Sequence, residues 1–238
     1  MTLNLDNIRN ILHIFIQRKS PDYELSMAGY NHLLQIASLK QFKIKTGLPE
    51  EYQPGMPLPA QVVNFTTKLS EDVRPFKVSM GEGDFAPLMV NILTGFADIP
   101  IDMYYPLSMS YKYVLNSIVK KKKINVVTDE NWDDKISSSI MFPTLKKPIA
   151  NFQSSYIRFY PVNVQYVNFV YLRYPLDPVF AYEYSLGYNK YDPAKSVELE
   201  WNEMNKIDII SIMLGMIGIN VERGDVVQLA DKMRKEGI

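Results

Sequence analysis

Few residues in this chain are of types that carry out chemistry. It has two histidines, His13 and His32, both near the N-terminus, and no cysteine. A relay of the serine–histidine–acid kind needs a nucleophile, a base and an orienting acid within hydrogen-bond reach of one another. No serine or carboxylate stands at a spacing from either histidine that suggests one, and the Gly-x-Ser-x-Gly elbow is absent. Both histidines lie within or beside apolar stripes and are expected to be core or interface residues. Glu198, Glu200 and Glu203 are close enough in sequence to gather three carboxylates for general acid–base work. With no positioned partner, they read as strand-face and helix-cap charges.

Three further motifs invite a ligand. Gly81-Glu82-Gly83 is a glycine-rich loop, but a dinucleotide site wants a third glycine at a helix start and a phosphate loop wants Gly-Lys-Ser/Thr. Neither follows, and the segment is expected to be a turn. Asp129-Glu-Asn131-Trp-Asp133-Asp134 begins like a calcium loop, yet position six is Asp134 instead of glycine and position twelve is Ile140 instead of glutamate. An acidic first helical turn fits it better. Lys120–Lys123 is a block of four cations, expected to be a solvated turn or hinge. Weak contact with the phosphates of passing DNA is the other reading, and no aromatic residue is interleaved with the run to stack on bases. The chain is thus expected to be no enzyme: catalytic residues none, cofactor-binding residues none, metal ligands none.

The composition agrees. The 238 residues carry 26 lysines and arginines against 26 aspartates and glutamates, so bulk electrostatic attraction to nucleic acid is not expected. Without cysteine there is no disulfide framework, thiolate zinc site or iron–sulfur cluster. The positive signal is 16 Tyr, 11 Phe and 12 Met, residue types enriched where proteins meet. The N-terminus lacks a basic region followed by an apolar run, so no signal peptide is expected. Ile207–Ile219, interrupted by Asp208 and Ser211, is too short to span a bilayer, which takes about 20 residues. The Asn64-Phe65-Thr66 sequon reads as a chance match.

The elements that would position these residues follow from apolar spacing. Residues 4–17 predict a helix capped by Asn4 or Asp6, and residues 23–45 a second, capped by Asp22, with Leu25, Tyr30, Leu33, Leu34, Ala37 and Ile44 inward. Four prolines in 48–59 exclude both helix interior and central strand. A short helix is predicted at 60–72, strands at 76–80, 109–119 and 123–128, and a helix at 129–139. Residues 87–97 suit either period. Strands are predicted at 155–160, 164–173 and 179–186, in a region holding nine of the 16 tyrosines. A final strand at 196–201, a helix at 203–217 ended by Gly218 and a helix at 222–236 complete the chain. The fold class is α+β: N-terminal helices, a central tyrosine-rich antiparallel β region and a C-terminal helical pair. The expected division is a helical segment 1–47, a proline-rich arm or linker 48–59, a strand-rich core 60–201 and the helical pair 202–238.

One stretch, 126–176, carries more than periodicity. It holds Val127-Thr-Asp-Glu-Asn-Trp-Asp-Asp-Lys-Ile-Ser-Ser-Ser-Ile140, Phe142-Pro-Thr-Leu-Lys-Lys-Pro-Ile-Ala150, Tyr156-Ile-Arg-Phe-Tyr-Pro161 and Val170-Tyr-Leu-Arg-Tyr-Pro175. In this order the chain resembles structural proteins of crAss-like tailed bacteriophages. Val73-Arg-Pro-Phe76, Ser196-Val-Glu-Leu-Glu-Trp201, Ile207-Asp-Ile-Ile210, Ile217-Gly-Ile-Asn220 and Gln228-Leu-Ala230 extend the similarity over residues 70–238, while the first 60 resemble the family only weakly.

The resemblance implies a virion protein, made in the bacterial host cytoplasm, that forms a closed ring with itself as a head-to-tail connector subunit beneath the portal. Its implied partners are portal, tail and other ring proteins, with no membrane and no cofactor. A ring repeats one heterologous interface, and the proline-rich 48–59 arm or the C-terminal helix is expected to supply part of it. The alternative is a non-enzymatic soluble binding module that uses the tyrosine-rich sheet on a peptide or glycan in one concave site.

Overall fold

The computed structural model describes residues 3–19, 25–46, 71–82, 86–115, 118–185, 188–218, 228 and 232. The fold is α+β with helices at both ends of the chain, as the sequence predicts. The proline-rich 48–59 segment, most of the predicted 60–72 helix and most of the 222–236 helix lie outside the described residues. The chain forms two compact units, one from residues 1–75 with 175–238 and the other from residues 76–174.

Among the described residues, the first unit is built mainly on α1 (Leu5–Lys19), α2 (Met27–Thr46) and α4 (Glu203–Met216), with α4 packed on both others. Each begins at a side chain that accepts an otherwise orphaned amide. Asn4 Oδ1 takes the Asn7 amide at 2.8 Å, Ser26 Oγ that of Gly29 at 3.1 Å, and Asn202 Oδ1 that of Asn205 at 2.9 Å. Gly218, at φ 84°, closes α4 in the left-handed conformation the sequence assigns to it. The helices bury Leu5, Ile8, Leu12 and Ile16 of α1, Tyr30, Leu34 and Phe42 of α2, and Ile209, Ile210 and Leu214 of α4. Each fully buried aliphatic side chain contributes about 1.5–3 kcal/mol. Two details of α2 differ from expectation. It starts at Met27 instead of residue 23, and Ile44 faces outward because the buried stripe runs through Gln41 and Phe42.

Residues 175–201 lie in the same unit and are mostly irregular. Their one regular piece is the hairpin β10 (Tyr182–Ser185) and β11 (Tyr188–Tyr191), whose strands pair only with each other among the described residues. A lone hairpin is marginal in water. This one is anchored at its base, where Tyr191 stacks on Phe180 at 4.9 Å and Phe180 meets Tyr30 edge-on at 5.5 Å. The predicted strand at 196–201 does not form, apart from a single bridge between Val197 and Val179. Its alternation is real, since Leu199 and Trp201 are buried. They pack inward with the helix residues instead of joining a ladder, and the Trp201 indole donates to Ser38 Oγ at 3.1 Å.

Among its described residues, the second unit holds two sheets. One has the order β1 (Lys77–Met80), β9 (Tyr166–Arg173), β4 (Met103–Leu115), β5 (Ile118–Lys123), with β2 (Leu88–Met89) also on β9. The other has the order β3 (Phe96–Asp98), β8 (Tyr156–Tyr160), β7 (Ile149–Phe152), β6 (Asn125–Val126). All pairs are antiparallel except β6 with β7, which is parallel. Helix α3 (Asp129–Ser137) connects β6 to β7, and a crossover of that kind is what parallel neighbours need. The chain passes from the first sheet to the second at Ile124, which is buried between β5 and β6. Alternate residues of both sheets meet in one core, including Met109 and Tyr111 of β4, Val167, Phe169 and Tyr171 of β9, and Ile157 and Phe159 of β8. Because Lys77 pairs with Leu172, the chain enters and leaves this unit on adjacent strands.

Candidate interaction surface

The three glutamates do not gather into a site; each holds a backbone amide. Glu198 accepts the Leu5 amide at 3.2 Å at the start of α1 and also the Tyr191 hydroxyl. Glu200 accepts the Leu176 amide at 2.9 Å, and Glu203 accepts the Leu3 amide at 2.8 Å. Lys206 completes the last contact, donating to the Leu3 carbonyl at 2.8 Å and to Glu203 at 3.3 Å. The helix-cap reading therefore holds for Glu198, at the start of α1, and for Glu203, in the first turn of α4. It does not hold for Glu200, whose amide partner lies in an irregular segment, and the strand-face reading holds for none of them.

His13 and His32 are exposed, on α1 and α2, which overturns the core half of the core-or-interface expectation. Each occupies the turn position beside a buried stripe instead of within it. Gly81 forms the turn the sequence assigns to it, with φ 80°, and a Cβ there would stand 2.5 Å from Asn168 Oδ1. Asp129–Asp134 open α3, with Asp129 accepting from the Gln153 side chain at 2.7 Å. Among the described residues, no group of three or more histidines, aspartates and glutamates is placed to hold a metal ion, and no helix is long and apolar enough to cross a membrane.

Burial and ion pairing perturb a few groups. In the first unit Asp72 sits 2.9 Å from Lys45 Nζ and accepts from Asn202 at 3.1 Å. Burial alone would raise its carboxyl, but the hydrogen bonds from Lys45 and Asn202 together with the Lys45 charge outweigh that and hold it below the usual carboxylate range. The Tyr171 phenol is pushed up to about 12, first by burial and then by its 3.0 Å hydrogen bond to Asp102. Tyr191 is likewise pushed up to about 12 by burial and by the Glu198 carboxylate. These are structural contacts, and none juxtaposes a nucleophile with a base.

What the second unit does present is surface. The segment after α3, Ser138–Pro148, exposes Ile140 (92%), Met141 (68%), Phe142 (46%) and Leu145 (38%) in succession. Its backbone is nonetheless hydrogen-bonded. The Tyr111 hydroxyl donates to the Leu145 carbonyl, the Lys147 amide to Thr144 O at 2.9 Å, and the Met141 amide to Ser138 Oγ at 3.0 Å. Phe142 meets Tyr160 edge-on at 5.5 Å, and Pro143 is buried. Apolar side chains held outward by a fixed backbone are the form a partner-binding surface takes. Periodicity has no means of finding such a loop. Its one sequence signal is the run Ile140-Met-Phe142 followed within three residues by Leu145.

The lysine run also differs from expectation. Lys120–Lys123 is neither hinge nor turn; it is most of strand β5. Lys121 pairs with Lys112 and Lys123 with Ser110, while Lys122 pairs with the buried Tyr111. Lys112, Lys121 and Lys123 therefore share the outer face of the sheet. Glu82, just past Gly81, reaches Lys121 at 2.6 Å. That hydrogen bond and charge, with Lys112 behind them, hold the Glu82 carboxyl below its usual range.

The tyrosines divide. Tyr30, Tyr111 and Tyr171 are buried, whereas Tyr104, Tyr105, Tyr166 and Tyr174 of the second unit and Tyr182 and Tyr184 of the first are exposed. The chain matches no protein-family model and no curated protein.

Proposed function

We propose that this chain is a virion structural protein, a ring-forming head-to-tail connector subunit beneath the portal of a tailed phage, without catalytic activity. The observation that carries the reading is the loop Ile140–Leu145. It is apolar, exposed and fixed in place, and it overlaps the Phe142–Ala150 run on which the resemblance to crAss-like phage proteins partly rests. A closed ring needs one surface on each subunit that inserts into a different surface of the next. Apolar side chains on a hydrogen-bonded backbone meet that need without the entropy cost of ordering a flexible loop on docking. The balanced charge of the chain keeps like subunits from repelling each other strongly.

The test is to mix the full chain with a portal protein and follow mass by light scattering and shape by negative-stain imaging. Closed rings are expected. Ile140→Asp combined with Met141→Asp is expected to abolish them while leaving the circular dichroism of the subunit unchanged. A chain that stays monomeric in the presence of portal would overturn the reading. The alternative binding module predicts instead a monomer or dimer that retains a peptide or glycan at one aromatic site.

A further inference from the structure

The outer face of the first sheet holds an arrangement that the linear sequence conceals. Ser110 pairs with Asn168, so two residues further along each strand Lys112 and Tyr166 lie on the same face at neighbouring positions. Lys121 stands directly opposite Lys112 on the other side, and Lys123 stands opposite Ser110. All three lysines are exposed, and Tyr166 is 54% exposed. Strand pairing thus supplies the aromatic neighbour that the run Lys120–Lys123 lacks in sequence.

This placement has a cost. Like charges directly opposite each other in a ladder destabilise it. Edge lysines do serve to discourage edge-to-edge pairing of sheets, and that role accounts for β5. It does not account for Lys112, which is on β4, flanked by β9 and β5. Glu82 is ion-paired with Lys121 and also lies near Lys112 and Asn168.

We propose that this face binds a single-stranded nucleic acid, with phosphates on Lys112, Lys121 and Lys123 and a base stacked on Tyr166. Cations that track a backbone beside an aromatic platform are the recurring, sequence-tolerant solution to that ligand. The incoming phosphate displaces the Glu82 carboxylate from Lys121, so Glu82 competes with the ligand. The inference stands whether or not the chain forms a ring.

Fluorescence anisotropy of the full chain with a labelled oligothymidine tests it. Binding is expected at low salt, weakening roughly tenfold between about 50 and 200 mM salt for two to three neutralised phosphates. Replacing Lys112, Lys121 and Lys123 together by Thr is expected to weaken binding at least tenfold, whereas Arg at the same positions preserves it. Tyr166→Ala is expected to weaken the single strand roughly tenfold and a duplex much less. Glu82→Gln is expected to tighten binding a few-fold, a gain that a merely structural ion pair would not produce. Should the Thr variant not fold, photocrosslinking of a halogenated-uracil strand to the unaltered chain decides, with Tyr166 the expected adduct. No binding at low salt, unchanged affinity of a folded Thr variant, or crosslinks confined to other segments each overturn the proposal. So does displacement by polyglutamate as readily as by unlabelled strand, which would assign the face to an acidic protein.

Discussion

Removing the Glu198 carboxylate breaks two contacts at once, the one to the Leu5 amide that opens α1 and the one to the Tyr191 phenol that anchors the hairpin. Glu198→Ala is expected to lower stability by about 1–2 kcal/mol, since it orphans a helix amide and a hydroxyl at a partly exposed site. Denaturant titration checks the size of the loss. Burial raises the Tyr30 phenol furthest, and Tyr171 and Tyr191 add to the alkaline limit. Both phenols are held neutral in the fold up to about 12, against an ordinary value of 10. The unfolded chain therefore loses those protons first, so the stabilisation is complete below about pH 10 and declines as pH rises toward 12. Phenolate absorbance is expected to show a late class that appears together with unfolding, and Tyr171→Phe is expected to make the decline shallower. None of this was legible beforehand. Glu198 and Leu5 are 193 positions apart, and a spacing rule sees only neighbours.

Among the elements, the end of β1 at Gly81 is tightly constrained. Gly81 takes a positive φ and lies so close to Asn168 that any side chain must move it. Gly81→Ala is expected to destabilise the second unit by about 1–3 kcal/mol, measured by thermal melting. Helices and aromatic strands were readable where their period was strong: α1, α4, β8 and β9 fall within two residues or so of their predicted bounds. The lysine strand β5 was missed because four cations show no apolar alternation, and only its partner β4 makes them a strand. The failed strand at 196–201 is the converse case. Leu199 and Trp201 alternate as a strand should, yet Glu198 and Glu200 on the other face bind amides elsewhere in the unit.

On the scale of the whole molecule, residues 76–174 are an insertion within the unit formed by the two ends of the chain. That division was not visible in sequence, because the helices at residues 5–19, 27–46 and 203–216 come together through contacts across nearly the whole chain length. The inserted segment has its own core and its own two sheets. Residues 76–174 expressed alone are expected to fold, with a cooperative thermal transition by circular dichroism and dispersed amide resonances. A fragment giving neither would show that the second unit depends on the first. The candidate surface divides in the same way: the resemblance pointed to the stretch containing Ile140–Leu145, while the meeting of Lys112 with Tyr166 required the fold.

Because Lys77 and Leu172 are partners, the two connections to the inserted unit attach to one end of a single antiparallel ladder. Tension carried along the chain arrives there perpendicular to the strands, in the direction of their hydrogen bonds. It peels β1 from β9 one pair at a time instead of shearing four pairs together. The insertion is thus wired as a zipper, giving way in small steps under a pull that would leave a sheared ladder closed.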